Sequence, residues 1–168
     1  IATAHTADDN AETVLLHLVR GTGLRGLGGI MPKNGQLIRP MLSITREEVL
    51  SFLGEYHISY VTDSSNNGDD FLRNRLRHHV MPLLQAENPN LSATVGRMTT
   101  LLQADEAYLS EQTEALLHQA RRENGWDCET LRQAPAVLRR RAIRQLLEIS
   151  KPAMHHVDAV EHLLEDLH

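Results

Sequence analysis

The sequence contains only one cysteine, Cys128, among its 168 residues. One thiol cannot form a disulfide within the chain, and it cannot by itself hold an iron–sulfur cluster, which needs several cysteine ligands. No run of apolar residues reaches the roughly 20 residues of a membrane-spanning helix. There is also no internal repeat and no low-complexity tract. These absences exclude an internal disulfide framework, and they predict a cytoplasmic protein without a membrane partner.

What the chain does have is the composition of a folded protein. Its residues are 41% hydrophobic and 23% charged, which is typical of globular domains. The formal net charge of −5 does not indicate a nucleic-acid-binding protein. However, most of the arginines beyond residue 70 occur in clusters, which are Arg73, Arg75 and Arg77; Arg121 and Arg122; and Arg139, Arg140, Arg141 and Arg144. Such clusters either bind phosphate groups in an otherwise acidic protein or form solvated helix faces.

The spacing of apolar residues predicts an α/β half followed by a helical half. The first half has three predicted strands that alternate with helices, at 1–4, 36–40 and 58–61. Strand–helix–strand alternation favours a parallel sheet. Residues 62–70 are rich in Asp, Ser, Asn and Gly and predict a loop at a domain boundary. Further helices are predicted over 71–85, 90–123 and 135–149 and after Pro152. We therefore expect a partial parallel-sheet α/β domain over 1–70 and an all-helical domain over 71–168.

The first motif, HTADDNAET, runs from His5 to Thr13 between a predicted strand and a predicted helix. Its side chains would then lie at the carboxyl edge of a parallel sheet, where open α/β folds bind ligands. Asp8 and Asp9 offer the hard oxygen ligands that Mg²⁺ prefers, whereas zinc is disfavoured because His5 is the only nitrogen ligand at hand. A structural interpretation is also open, since Thr6 and Asp9 have the spacing of a capping box.

Two further motifs follow. Residues 20–27 read RGTGLRGL, a glycine-rich loop that comes after a helix and therefore lacks the context of a dinucleotide-binding site. Residues 63–66 read DSSN and precede FLRNRLRH at 71–78. Arg73 and Arg77 are one helical turn apart and share a face, so their guanidinium groups could pair with phosphate or stack on an unpaired base. Ordinary turn chemistry and a solvated helix face remain the alternative for this region.

In this order the motifs resemble those of the tRNA(Ile)-lysidine synthetases, a branch of the PP-loop ATP pyrophosphatases, over residues 1 to 85. The resemblance implies a PP-loop α/β domain and a helical tRNA-binding domain. It also implies ligation of L-lysine to C2 of the wobble cytidine of an isoleucine tRNA with the anticodon CAU, through an intermediate adenylated by ATP. The carboxylates of Asp8 and Asp9 could hold the lysine ammonium group and accept its proton.

The resemblance also implies roles for individual residues. These are catalysis by His5, Asp8 and Asp9; Mg²⁺ binding by Asp8 and Asp9; cofactor binding by Arg20, Gly21 and Gly26; and tRNA binding by Asp63, Asn66, Arg73, Asn74 and Arg77. The Ser-Gly-Gly-x-Asp-Ser loop, whose backbone amides bind the ATP phosphates in this family, does not occur in the sequence. We therefore expect an internal segment of a longer enzyme that is inactive by itself.

Two other functions stay open at this point. One is a different PP-loop tRNA-modifying enzyme, such as a tRNA thiolase. The other is a non-catalytic helical binding or interaction module. A homodimer is open as well.

Overall fold

The computed structural model describes residues 1–61, 68–147 and 153–166, with side chains through Leu164. The chain divides into two compact units, Ile1–Glu106 and Ala107–His168. The division falls within the longest helix, α6 (Leu91–Ala120). The boundary predicted at residue 70 divides a catalytic domain from a tRNA-binding domain by function, and this functional division stays a prediction.

The first unit is mostly helical. In chain order its elements are α1 (Ala7–Arg20), α2 (Leu24–Leu27), β1 (Lys33–Asn34), β2 (Leu37–Ile38), α3 (Arg46–Glu55), α4 (Leu72–Arg75), a π-helical turn (Leu76–Val80), α5 (Met81–Glu87) and the first half of α6.

Two helices of this unit begin with capping boxes. At α1 the Thr6 hydroxyl accepts from the backbone N–H of Asp9, while the Asp9 carboxylate accepts from the backbone N–H of Thr6. Thr45 and Glu48 repeat the arrangement at α3. The hydrogen bonds donated by Thr45 hold the pKa of Glu48 below its usual value. The capping pattern predicted for Thr6 and Asp9 is therefore confirmed.

The predicted parallel sheet is reduced, within the described residues, to one parallel bridge between Ala2 and Ile38. There the N–H of Ile38 donates to the carbonyl of Ile1 at 2.9 Å, and the N–H of Thr3 donates to the carbonyl of Ile38 at 3.0 Å. β1 and β2 form a two-residue antiparallel ladder. The strand predicted at 58–61 is wrong, since these residues have no regular structure. A strand needs a neighbour to accept its hydrogen bonds, and no described segment pairs with this one.

Asn10 joins three segments of the first unit. This buried side chain donates to the Thr99 hydroxyl of α6 at 3.1 Å and accepts from the backbone N–H of Ile30 at 2.8 Å. The chain reaches Ile30 through Gly29, whose φ of +66° suits glycine. A Cβ added at Gly29 would lie 2.3 Å from Asn10 Oδ1, so the hydrogen bond depends on the absence of a side chain there.

We expect Gly29→Ala to lower the free energy of unfolding by about 2–3 kcal/mol, as the left-handed backbone costs 1–2 kcal/mol and the lost hydrogen bond about 1 more. The matched control is Gly35→Ala, which has a φ of +57° but nothing within 4 Å of the added Cβ. The control should lower the free energy of unfolding only by the contribution of the left-handed backbone, about 1–2 kcal/mol. Urea unfolding of both variants measures the difference, and equal losses would contradict the role given to Asn10.

The second unit is helical apart from one hairpin. Its elements after α6 are β3 (Arg121–Arg122), β4 (Gly125–Trp126), α7 (Cys128–Gln133), α8 (Ala136–Leu146) and α9 (Met154–Asp166). β3 and β4 pair antiparallel. The core consists of apolar side chains from the helices, which are Leu116, Ala120, Leu131, Ala142, Ile143, Val157 and Leu164. The predicted helices 90–123 and 135–149 correspond to α6 and α8.

No described helix combines the length and the apolar character needed to cross a bilayer.

Candidate functional site

The centre of the site is Glu12 of α1, whose side chain is only 4% exposed. Arg77 binds it with two nitrogens: Nε donates to Glu12 Oε1 at 2.5 Å, and Nη2 donates to Oε2 at 2.7 Å. Arg73 Nε also donates to Glu12 Oε2, at 3.0 Å. Two guanidinium groups therefore neutralise one buried carboxylate, which satisfies the requirement that a buried charge be paired and hydrogen-bonded.

Asp9 also contacts these arginines, and we call Asp9, Glu12, Arg73 and Arg77 the ion cluster. Asp9 Oδ1 accepts from Arg73 Nη2 at 3.0 Å and from Arg77 Nη2 at 3.3 Å, while its Oδ2 accepts from Thr6. Hydrogen bonding to Glu12 raises the pKa of Arg77 above its usual value. Burial of the guanidinium group acts in the opposite direction, and the negative charges of Glu12, Asp9 and Asp8 add to the increase. The capping residue of α1 and the arginines beyond residue 70 are thus parts of one structure.

Asp8 has a different environment from Asp9. Its Oδ2 accepts from the backbone N–H of Arg46, the first residue of α3, at 2.6 Å, and its Oδ1 accepts from the Ser92 hydroxyl at 2.7 Å. A carboxylate at a helix amino terminus is favoured by the helix dipole. These partners are neutral, and no described guanidinium group donates a hydrogen bond to Asp8.

These residues line an open cleft of about 870 Å³, here called the carboxylate cleft. Its charged wall includes Asp8, Asp9, Glu12 and Arg77. Its apolar lining comes mainly from α3 and the residues after it, which also place Arg46 and Glu47 in the cleft. The apolar residues are Val49, Leu50, Leu53, Tyr60 and Val61. The cleft could therefore hold a ligand with one cationic or amino end and one apolar, planar part.

The structure brings together only some of the residues predicted for the site. Asp8, Asp9 and Arg77 line the carboxylate cleft, and Arg73 contacts Asp9 and Glu12. His5 does not line the described cleft, and its Nδ1 lies 3.0 Å from the Thr3 hydroxyl. Asn74 donates to the carbonyl of Gly68 at 2.6 Å. Asp63 and Asn66 lie outside the described residues.

The predicted cofactor residues Arg20, Gly21 and Gly26 also lie outside the described lining of the carboxylate cleft. Gly21 ends α1 with a φ of +75°. The carbonyl of Gly26 lies 2.8 Å from His17 Nδ1, and a Cβ at Gly26 would lie 1.9 Å from the Thr22 hydroxyl. These glycines therefore have conformational and packing reasons to be glycine.

Asp9 does not fit a magnesium site, whereas Mg²⁺ binding by Asp8 stays a prediction. Each of their four carboxylate oxygens already accepts a hydrogen bond, and Asp9 is bound to two guanidinium groups. A cation at Asp9 would have to displace Arg73 and Arg77. Within the described residues no group of three or more His, Cys, Asp or Glu side chains is placed to hold a metal ion.

Sequence reasoning left Glu12 and Ser92 outside the predicted set. Glu12 belongs to the first motif, and its position one turn after Asp8 and Asp9 is a signal that could have identified it. Ser92 has no such signal, because it meets Asp8 only through the fold. A third residue outside the predicted set is Asp69, whose carboxylate lies 2.8 Å from His78 Nδ1 and 2.6 Å from His79 Nε2. The hydrogen bonds of His79 and His78 lower the pKa of Asp69.

Comparison with known proteins identifies the family. A family model described as a PP-loop domain matches residues 1–84, which is half of the chain and includes the whole ion cluster. The chain belongs to the PP-loop family.

Curated relatives match beyond this domain. The chain is 45% identical to the tRNA(Ile)-lysidine synthase of Parabacteroides distasonis over 114 residues, which cover 66% of this chain and 26% of the relative. It is 38% identical to that of Geobacter sulfurreducens over 176 residues, a match that covers 98% of this chain and 37% of the relative. It is 32% identical to the tRNA(Ile)-lysidine synthase of Nostoc, with 98% of this chain and 55% of the relative covered. The predicted resemblance is confirmed, and the chain spans only 26% and 37% of the length of the first two relatives.

We expect Arg77→Ala to lower the free energy of unfolding by about 3–5 kcal/mol, because it leaves the Glu12 carboxylate buried with half of its counter-charge. The control is Arg75→Ala at the end of the adjoining α4, since Arg75 is exposed and, within the described residues, donates to the carbonyls of Asp69 and Asp70. The control should cost less than about 1 kcal/mol. Urea unfolding distinguishes them, and a small loss in Arg77→Ala would show that the cluster does not stabilise the fold.

Proposed function

We propose that the protein to which this chain contributes is a tRNA(Ile)-lysidine synthetase. The observation that carries the proposal is the ion cluster of Asp9, Glu12, Arg73 and Arg77, which joins both motifs of the resemblance in one site. The relatives named above support the same function, and they support it over a tRNA thiolase or a non-catalytic helical module.

The proposed reaction uses ATP to adenylate C2 of the wobble cytidine of an isoleucine tRNA with the anticodon CAU, and pyrophosphate is released. The ε-amine of free L-lysine then attacks C2. A C–N bond forms, the bond from C2 to the adenylate oxygen breaks, and AMP leaves with the electron pair while the amine loses its proton. These substrates imply a cytoplasmic protein. A homodimer and Mg²⁺ accompanying ATP stay predictions.

We assign Asp8 to the lysine amine. Unlike Asp9 and Glu12, it contacts only neutral donors in the described structure, so its charge is available to a cation. The carboxylate could first hold the ammonium and then accept a proton as the amine becomes the nucleophile. Asp9 and Glu12 instead position Arg73 and Arg77. The apolar lining of the carboxylate cleft would suit the cytosine ring.

The test is a chimera of the Geobacter sulfurreducens relative in which the aligned segment is replaced by this chain. We expect the chimera to form lysidine on the isoleucine tRNA transcript. Asp8→Asn should lower the rate at least about tenfold, or 1.4 kcal/mol of transition-state stabilisation, because it removes the charge and the base. The matched control is Glu55→Gln on the exposed end of α3, which should leave the rate unchanged.

A rate in Asp8→Asn equal to that of the unsubstituted chimera would contradict the role given to Asp8. A chimera that folds and binds tRNA but forms no lysidine would contradict the proposed function itself.

Because the family's phosphate-binding loop is missing from the sequence, we expect the 168-residue chain alone to release no pyrophosphate from ATP.

We also propose that Arg73, whose side chain is 36% exposed, contacts tRNA together with Asn74 and Arg77. Arg73→Gln should weaken tRNA binding by the chain and make the slope of log K against log salt shallower by about one, because one phosphate contact is lost. Arg25→Gln, an exposed site on α2, controls for the change in net charge. If the slopes of the two variants agree, Arg73 serves only the ion cluster.

A further inference from the structure

A second cleft lies in the first unit, on the other side of α1. Its volume is about 540 Å³, and it is bordered by α1, the segment from Ile30 to Ser43 and the first part of α6. We call it the arginine cleft, after Arg39 and Arg97 in its lining. Its other polar lining residues include Asn10, Ser43, Thr100 and Gln103.

The charge of the arginine cleft is opposite to that of the whole chain. The chain carries a net charge of −5, yet the described lining contains two arginines and no Asp or Glu. Positive charge that no carboxylate compensates attracts anions, and the low-dielectric walls of a cleft strengthen this attraction.

The two arginines have spare hydrogen-bond donors. Arg39 Nη1 donates to the carbonyl of Met31 at 2.7 Å, while Arg39 Nε is buried and has no acceptor in the described structure. A buried N–H without an acceptor is destabilising, so the guanidinium group of Arg39 is only partly satisfied by the fold. Arg97 is exposed, and its Nη2 donates to the Thr94 hydroxyl at 3.0 Å.

Most of the neutral polar side chains that line the arginine cleft already bond within the fold. Asn10 bonds to Thr99 and Ile30, and Gln103 Nε2 donates to the carbonyl of Gly28 at 2.6 Å. Ser92 lines both clefts, but its hydroxyl donates to Asp8. The arginines therefore supply the charged donors that face a ligand in this cleft.

We propose that the arginine cleft binds a phosphate oxyanion, carried either by the RNA backbone or by a free nucleotide. The planar guanidinium group donates two parallel hydrogen bonds to phosphate oxygens, and two arginines on different elements can hold one phosphate from two sides. The volume lies within the range of small-ligand sites, so more than a bare phosphate fits. The inference does not depend on the proposed lysidine synthesis.

The experiment follows the arginine Nε–Hε signals of the ¹⁵N-labelled 168-residue chain by NMR during titration with inorganic phosphate. We expect the signals of Arg39 and Arg97 to shift together. Arg39→Gln and Arg97→Gln should each raise the dissociation constant at least about fivefold, since a charge-assisted contact is lost. Arg144→Gln is the control, because Arg144 is exposed on α8 of the other unit, and it should leave the constant unchanged.

Two further probes distinguish the sources of the phosphate. Tighter binding of AMP than of inorganic phosphate, lost in Arg97→Gln, would assign the cleft to a nucleotide. Tighter binding of a single-stranded RNA tetranucleotide without terminal phosphates, lost in the same variant, would assign it to the RNA backbone. Arg39→Lys, which keeps the charge, serves if Arg39→Gln does not fold, and it should bind more weakly than the wild type but not lose binding.

The proposal is overturned if phosphate, AMP and the tetranucleotide all leave the Arg39 and Arg97 signals unshifted. It is equally overturned if Arg97→Gln binds all three probes as tightly as the wild-type chain does. The amide spectrum of Arg97→Gln shows whether the fold is kept, and we expect it to be kept because Arg97 contacts only Thr94.

Discussion

The burial of the Glu12 carboxylate is the constraint on which the rest of the first unit depends. A carboxylate that is 4% exposed is stable only if its charge is paired, and here the pairing takes two guanidinium groups from one segment. That requirement fixes α4 and the π-helical turn against α1. It also sets the position of Asp9, because the same arginines bind both acids. The carboxylate cleft therefore has a wall that cannot move without exposing or unpairing Glu12.

The local features of this fold could be predicted from the sequence, and the long-range ones could not. The capping box at Thr6 depends on residues three positions apart, so its pattern is visible in the sequence. The shared face of Arg73 and Arg77 is visible too, but the sequence does not show what lies against that face. Their partner Glu12 is 61 and 65 residues away. The hairpin of β3 and β4 lies partly within the helix predicted over 90–123, and it turns at Glu123 and Asn124. Two-residue strands have no periodicity from which the sequence could predict them.

The second unit shows the same use of arginine in a different place. Arg139 and Arg140 of α8 belong to the cluster that composition alone would allow to bind phosphate, but Glu161 of α9 accepts from both. Arg140 also pairs with Asp158. Clustering in the sequence therefore did not distinguish an arginine that holds two helices together from one that faces a ligand. The partner of each guanidinium group makes that distinction.

Helix α1 separates two environments of opposite charge. Asp8, Asp9 and Glu12 project from one face into the carboxylate cleft, while Ala7 and Asn10 line the arginine cleft on the other face. The helix can do this because the capping box and the Arg73–Arg77 pair satisfy the acids on their own side, and Asn10 bonds only to neutral groups. If the two clefts shared one space, Arg39 and Arg97 would pair with the Asp8 carboxylate, which now accepts only from neutral donors, and neither charge would remain for a ligand. An amine and a phosphate can be attracted to one small unit only because the helix keeps the two kinds of charge apart.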